Sequence, residues 1–401
     1  MSRPLDGIRV LEVGQYIAAP YCAMLLADQG AEVIKIERPG TGDPRRAYDP
    51  FYEKDGRKAS GGFLGYNRNK KSVTIDLSQP EGAAAFRRLA RAADVIIENL
   101  APGTMDRLGL GYTSLAADNP RLIYCAISGF GRLPEFQGPY AGQRSFDATI
   151  QAMSGVMSMT GEPGGSPSLG LSGFADIYTG VFGALAVGAA LYGRERTGRG
   201  TFIDQAMYDT MASLAERALL LHELTGWIPK PGQDLYSPLG PIRVKDGTIT
   251  IVVPTDEMFV RFCKAIERPD LLDHPQLSTV LDRAKHFQDV LRPEAEKWTT
   301  RHSRSEVMDR FVAAGLPVGI VQTIDEVYAC PQLEARKMML TIDEPALGAF
   351  HVIRTPLLFS AYERADNRTP PQLGEDTQAV LSEVAGIGAD ELQALRAKGA
   401  V

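Results

Sequence analysis

Short apolar runs recur through the first third of the chain, separated by segments with helical spacing, and this alternation sets the expected architecture. Ile8 to Val13 reads as a buried strand, Pro20 to Gly30 as a helix closed by its glycine, and Ala31 to Ile36 (AEVIKI) as a second strand. Ser72 to Leu77 (SVTIDL) alternates as a strand does and leads into Pro80-Glu81, a helix opening that carries on to Ala92. Asp94 to Glu98 (DVIIE) and Leu122 to Ile127 (LIYCAI) complete the series. Strands parted by helices of this length predict a parallel, doubly wound α/β sheet.

The pattern then changes twice. A glycine-rich stretch, Thr160 to Gly173, precedes an apolar helix starting near Asp176, a turn and strand at TGRGTFID, and a long helix over about 205–224. Residues 225–241 carry Pro229, Pro231, Pro238 and Pro241 and read as a linker. From Asp246 onward one strand (TITIVV), several short helices and a second strand (LPVGIV) predict a smaller α+β domain over 242–322. The remainder, 323–401, predicts a helix at Thr323 to Cys330, a hairpin around Gly348 and a closing helix from Asp390. There is no internal repeat and no low-complexity tract.

Composition narrows the function classes. The chain has 401 residues, 44% hydrophobic and 23% charged, the balance of a folded globular protein. Lys+Arg 43 against Asp+Glu 49 leaves a net charge of −6 and a pI near 5.6, so no general attraction to nucleic acid or anionic membrane is expected. Cys22, Cys125, Cys263 and Cys330 lie far apart without metal-ligand spacing, which argues against a structural zinc and fits a reducing compartment. The opening MSRPLDGIRVLEV is broken by charges, unlike a signal peptide. The longest apolar stretch, Gly180 to Gly193, is shorter than the roughly 20 residues a bilayer needs. A cytoplasmic protein is expected.

Few residues carry chemistry on spacing alone. The turn after the first strand reads GQYIAA, with one glycine where a dinucleotide fingerprint has three, which disfavours a nicotinamide cofactor. Arg38 and the pair Arg45-Arg46 could receive a phosphate or form a solvated basic turn. Asp176, at the head of an apolar run, has two readings. It is either an N-cap accepting backbone N–H groups, or a carboxylate held ionised at a helix N-terminus and available as a nucleophile. The five histidines, His222, His274, His286, His302 and His351, are isolated, and no G-x-S-x-G elbow, Walker loop or H-E-x-x-H occurs.

Taken in order, LDGIRVLEVGQYIAAPYCAMLLADQGAEVIKIERPGTGDPRR, NKKSVTIDLSQPEG, ADVIIENLAPGTMDRLGLGY, NPRLIYCAISGFG, ADIYTG and GRERTGRGTFIDQAM resemble the class III CoA-transferases, the family of formyl-CoA transferase and carnitine CoA-transferase. Weaker matches at GLPVGIV and QLGEDTQAVL extend the resemblance over essentially the whole chain. It implies that Asp176 is the nucleophile, that an acyl-CoA and a free carboxylic acid are the partners, and that coenzyme A enters as substrate with no metal or redox cofactor. It also implies a coenzyme A site of Ala18, Arg38, Ile75, Asn99, Leu100, Ala101, Arg107 and Arg144. A homodimer of interlocked chains follows by the same route, with the C-terminal segment completing the large domain of residues 1–224.

The departures bear on substrate choice. Gln15 and Ile17 stand where formyl-CoA transferase has histidine and glutamine, and LYSPLGPIR, Leu235 to Arg243, replaces its four-glycine flap. Gln15, Phe146, Gly240 and Arg243 are therefore expected to shape the acyl pocket, with Arg243 meeting the second carboxylate of a dicarboxylic donor such as succinyl-CoA. The related α-methylacyl-CoA racemases carry His-Asp where this chain has Phe146-Asp147, which removes one of their two acid/base groups. Racemase and non-catalytic acyl-CoA binding remain the alternatives to transferase.

Overall fold

The computed structural model describes residues 3–232, 238–364 and 367–401. The chain forms two compact units, one from the N-terminus to Val156 with Gly170–Glu216 and Ala335–Val401, the other from Met157–Leu169 and Arg217–Glu334.

Thirteen strands follow in chain order among the described residues. The first unit holds β1 (Arg9–Val13), β2 (Glu32–Glu37), β3 (Phe51–Lys54), β4 (Arg57–Ser60), β5 (Lys70–Thr74), β6 (Val95–Glu98), β7 (Ile123–Ser128) and β8 (Thr201–Ala206). The second holds β9 (Leu239–Val244), β10 (Gly247–Val252) and β11 (Val318–Ile320), and the chain returns to the first with β12 (Met339–Glu344) and β13 (Gly348–Ile353). Six of the first unit's strands make one sheet in the order β5-β2-β1-β6-β7-β8, every pair parallel, with Leu11 paired to Ile34 and to Ile96. The central strands β1, β2, β6 and β7 are buried on both faces, which is why they appear in sequence as mostly apolar runs.

Each face has its own core. Leu11, Ile34, Ile96 and Tyr124 pack against Phe86 and Leu89 of the Pro80–Arg91 helix and against Leu381, Leu392 and Leu395 from the C-terminal helices. Val10, Val33, Ile97 and Cys125 pack on the opposite side with the Ala18–Ala27 and Phe174–Thr197 helices. The C-terminal segment also seals the exposed edge of β5. Ser72 N donates to Asp376 Oδ2 at 2.9 Å and Thr74 N to Thr377 Oγ1 at 3.0 Å, giving partners to amides that an open edge would leave bare.

The Phe174–Thr197 helix differs from the all-round buried helix its composition suggests. It runs 24 residues, so by length and composition alone it could cross a membrane, longer than the Gly180–Gly193 run implied. Ala175, Thr179, Gly180, Gly183 and Val187 make one buried stripe, while Leu185 and Tyr192 are 65% and 71% exposed. Glycine permits the close crossing with the Ala18–Ala27 helix. A Cβ on Gly180 would fall 2.9 Å from Ala18 O and 3.1 Å from the Tyr21 ring.

Other elements also depart from the sequence reading. The helix expected over 205–224 breaks at Ala215 into Met207–Leu214 and Glu216–Thr225. The β3–β4 hairpin is absent from that reading, although Asp55-Gly56, both at positive φ, is the turn such hairpins favour. Leu239, Gly240 and Pro241 belong to β9 and not to a linker or flap; Leu235, Tyr236 and Ser237 of that flap lie outside the described residues. β9 is the edge of an antiparallel β11-β10-β9 sheet, the place where a strand tolerates proline. That sheet packs Ile249 and Ile251 against Phe262, Trp298 and Phe311.

Candidate active site

The order β5-β2-β1-β6 reverses chain direction between β1 and β6, and in open parallel sheets ligands bind outside the carboxyl ends of the strands at such a point. Here the loops leaving β1 and β6 are tied to each other. Gln15 N donates to Asn99 Oδ1 and Asn99 Nδ2 donates to Gln15 O, each at 2.8 Å. The next residue, Tyr16, has φ 64°, a left-handed conformation that a tyrosine keeps only when its surroundings impose it. Its N–H donates to Asp43 Oδ1 at 3.3 Å.

Beneath that turn lies a group of charges that the sequence reading passed over. Lys35 Nζ bonds Glu12 Oε1 at 2.6 Å, Gly14 O at 2.9 Å and Asp43 Oδ2 at 2.9 Å. Lys70 Nζ bonds Glu12 Oε2 at 2.7 Å, with Pro20 O and Asn67 Oδ1 each at 2.8 Å. The side chains of Glu12, Lys35, Asp43 and Lys70 have no solvent exposure. Burial drives Lys70 down to about 8, with Lys35 adding repulsion and Glu12 opposing. A charged residue inside each of two apolar strands was the available signal, because the parallel register sets Glu12 opposite Lys35.

A cavity of about 230 Å³ opens at the carboxyl ends of these strands, and Gln15, Arg38, Ile75 and Leu100 are among the residues that line it. Four of the expected contact positions thus converge. Ala18 is buried at the first position of the helix that follows, and Asn99 forms the tie just described. Ala101, Arg107 and Arg144 are exposed, with Arg107 Nη2 donating to Thr104 Oγ1 at 3.0 Å.

Asp176 occupies the third position of the Phe174–Thr197 helix, so it is not the cap that one sequence reading offered. Asp147 caps the helix instead. Its Oδ1 accepts from Ala175 N at 2.7 Å and its Oδ2 from Gly173 N at 3.0 Å. Gln151 Nε2 also donates to Asp147, and its Oε1 accepts from Gly170 N, so the amides of Gly170 and Gly173 are occupied and are not open oxyanion donors. Asp176 itself is half-buried, and among the described residues no group donates a hydrogen bond to its carboxylate. Burial raises it to about 7; the negative charge of Asp147 pushes the same way, and the positive charge of Arg45 opposes. A carboxylate desolvated, undonated and basic for its type is suited to attack a carbonyl.

Aromatic and apolar side chains surround this end of the helix. Tyr16 meets Phe146 edge to face with centroids 5.8 Å apart, and Phe146, 63% exposed, precedes the capping Asp147. A Cβ on Gly173, at φ +80°, would lie 3.4 Å from Ile17 Cδ1, so the β1 loop abuts the helix N-terminus. Gly240 and Arg243 lie on β9 of the second unit. Gly240 accommodates the Phe287 ring, which a Cβ would approach to 2.8 Å. Arg243 has an acid of its own, with Nε and Nη2 bonding Glu296 Oε2 at 2.9 and 2.7 Å.

The family model for CoA-transferase family III matches residues 5–377. The chain belongs to CoA-transferase family III. It is 35% identical over 390 residues to the succinate–glutarate CoA-transferase of Agrobacterium fabrum, covering 95% of this chain and 96% of that protein. It is 36% identical over 390 residues to the succinyl-CoA:mesaconate CoA-transferase of Haloarcula hispanica, covering 96% and 97%. Among solved structures, a CAIB/BAIF family protein from Brucella suis superposes with a TM-score of 0.83 at 34% identity, over 96% of this chain and all of that one. The large parallel sheet with its small antiparallel sheets is thus that of a family III CoA-transferase.

Proposed function

We propose that this family III transferase moves coenzyme A between dicarboxylic acids, with succinyl-CoA or a similar thioester as donor and Asp176 as nucleophile. The Asp176 carboxylate attacks the thioester carbonyl; the C–S bond breaks, leaving an aspartyl acyl anhydride and coenzyme A thiolate. The thiolate attacks the aspartyl carbonyl, forming an enzyme thioester and releasing the donor acid as its carboxylate. The acceptor carboxylate then attacks that thioester, and the returning thiolate takes the acceptor's acyl group and frees Asp176. Charge and atoms balance at each step, and neither metal nor redox cofactor is needed.

The observation that carries this reading is the state of Asp176, half-buried, without a donor among the described residues, and raised to about 7 on a helix whose N-terminus is capped by another residue. The substrate class rests on the Agrobacterium and Haloarcula relatives, named for succinate, glutarate and mesaconate. Coenzyme A is taken to lie along the 230 Å³ cavity, with Arg38 near its phosphates; the exposed Ala101, Arg107 and Arg144 are further contacts implied by the resemblance. The acting unit is a cytoplasmic homodimer on the strength of the resemblance.

The deciding experiment offers succinyl-CoA with a panel of dicarboxylic acids and separately offers 2-methylacyl-CoA in deuterated water. Formation of the acceptor's CoA ester, with no solvent deuterium entering the methylacyl-CoA, is the expected result. Deuterium uptake without any acceptor would favour a racemase, a reaction for which Phe146 supplies no titratable group.

A further inference from the structure

Arginines in this protein are mostly spoken for by acids. Arg46 bonds Glu37 through Nε and Nη2, each at 2.7 Å, Arg68 bonds Asp28, Arg132 bonds Glu98, and Arg243 bonds Glu296. Arg45 is different. Its Nε donates to Gly62 O at 2.6 Å, and its guanidinium lies 5.2 Å from the Tyr48 ring centroid and 5.1 Å from that of Tyr66. Its backbone N–H donates to Asp43 Oδ1 at 2.9 Å, the same oxygen that receives Tyr16 N. Nη1 and Nη2 make no hydrogen bond, and no carboxylate lies within 4.0 Å of the guanidinium, among the described residues. The side chain is thus held at its stem and flanked by two rings, while the forked end is left unused.

Its position ties it to Asp176. The Tyr66 and Tyr21 rings meet edge to face with centroids 6.1 Å apart, and the Tyr21 ring lies 3.1 Å from where a Cβ on Gly180 would sit, one helical turn below Asp176. Arg45 is also the cation whose charge acts on the Asp176 carboxyl. A half-buried, pre-oriented guanidinium with two free N–H groups matches a carboxylate in geometry as well as charge, and a carboxylate placed there completes pairing that the protein leaves open.

We propose that Arg45 receives the distal carboxylate of a dicarboxylic acyl group or acceptor acid while the reacting carbonyl lies at Asp176. This rests on the transferase reading above and moves the expected role of Arg243 to another residue, because Arg243 is already held by Glu296. Selectivity for a dicarboxylic over a monocarboxylic substrate then comes from the first unit, on the same turn that carries Asp43.

The test compares Arg45→Gln and Arg45→Lys with the native enzyme at pH 9, above the Asp176 titration, so that a changed nucleophile pKa does not mask the result. kcat/KM is measured with succinyl-CoA and with butyryl-CoA, which keeps the four-carbon chain and lacks the distal carboxylate. Arg45→Gln is expected to lose about 100-fold with succinyl-CoA and less than about threefold with butyryl-CoA, the loss of a charge-assisted pair; Arg45→Lys recovers part of it. Equal losses on both donors would mean that Arg45 serves coenzyme A or the fold, and no loss on succinyl-CoA would mean that it serves neither; both overturn the assignment and leave the transferase reading intact. A native enzyme that transfers coenzyme A from neither donor overturns that reading and the assignment together, and one that uses butyryl-CoA alone overturns the dicarboxylic substrate class and the assignment while leaving the transferase chemistry at Asp176 standing.

Discussion

Two carboxylates near the same loop, Glu12 fully enclosed and Asp176 half-buried, are handled in opposite ways. Glu12 shares one oxygen with Lys35 and the other with Lys70, and this fully enclosed group fixes Gly14 O and, through Asp43, Tyr16 and Arg45. Asp176 is desolvated too but receives no donor among the described residues, and the charge of Asp147 acts against its ionisation. Paired charges in a low-dielectric interior fix geometry, because breaking one pair strands its partner. An unpaired carboxyl in the same kind of medium keeps its basicity. The first arrangement builds the platform and the second leaves the reactive group free.

The contrast can be broken from either side. Asp176→Asn, which keeps shape and removes the nucleophile, is expected to lower CoA transfer at least about a thousandfold with the melting temperature held or raised, as read by a coupled CoA-ester assay and thermal unfolding. Loss of activity together with loss of fold would make Asp176 structural. Glu12→Gln should do the reverse. It leaves Lys35 with Asp43 alone and Lys70 without a carboxylate among the described residues, and is expected to cost about 3–5 kcal/mol in urea unfolding; an unchanged midpoint would show that water or Asp43 replaces Glu12.

Asp147→Asn sharpens the comparison more gently. Asp176 titrates near 7, so below that pH the protonated, inactive form dominates and kcat/KM should fall about tenfold per pH unit. Removing the Asp147 charge eases ionisation of Asp176 and moves that limb to lower pH, while the weakened helix cap costs about 1 kcal/mol. A limb that stays in place would mean that burial alone sets the basicity.

Much of the first unit was legible because parallel strands buried on both faces leave mostly apolar runs such as VLEV and AEVIKI, broken by few charges. β9 was not, because Leu239-Gly240-Pro241 has the composition of a linker and only its edge position makes it a strand. The position of Asp176 was legible, but its role came only from resemblance. The residue that caps its helix, Asp147, is 28 positions from the amide of Ala175 it receives, so no local pattern separates cap from nucleophile. Arg45 was visible as part of a basic pair, yet its neighbour Arg46 looks identical in sequence and is consumed by Glu37. What distinguishes them is which acid the fold places within reach.

In the proposed reaction the Asp176 carboxylate becomes acylated and then carries coenzyme A. The most direct measurement is peptide mass spectrometry after the enzyme is mixed with succinyl-CoA and quenched with hydroxylamine or borohydride. Conversion of Asp176 to its hydroxamate or alcohol, confined to the peptide that contains it, is the predicted result. An unmodified Asp176 in an enzyme that turns over in the same tube would rule out Asp176 as the nucleophile, as would modification of a different residue.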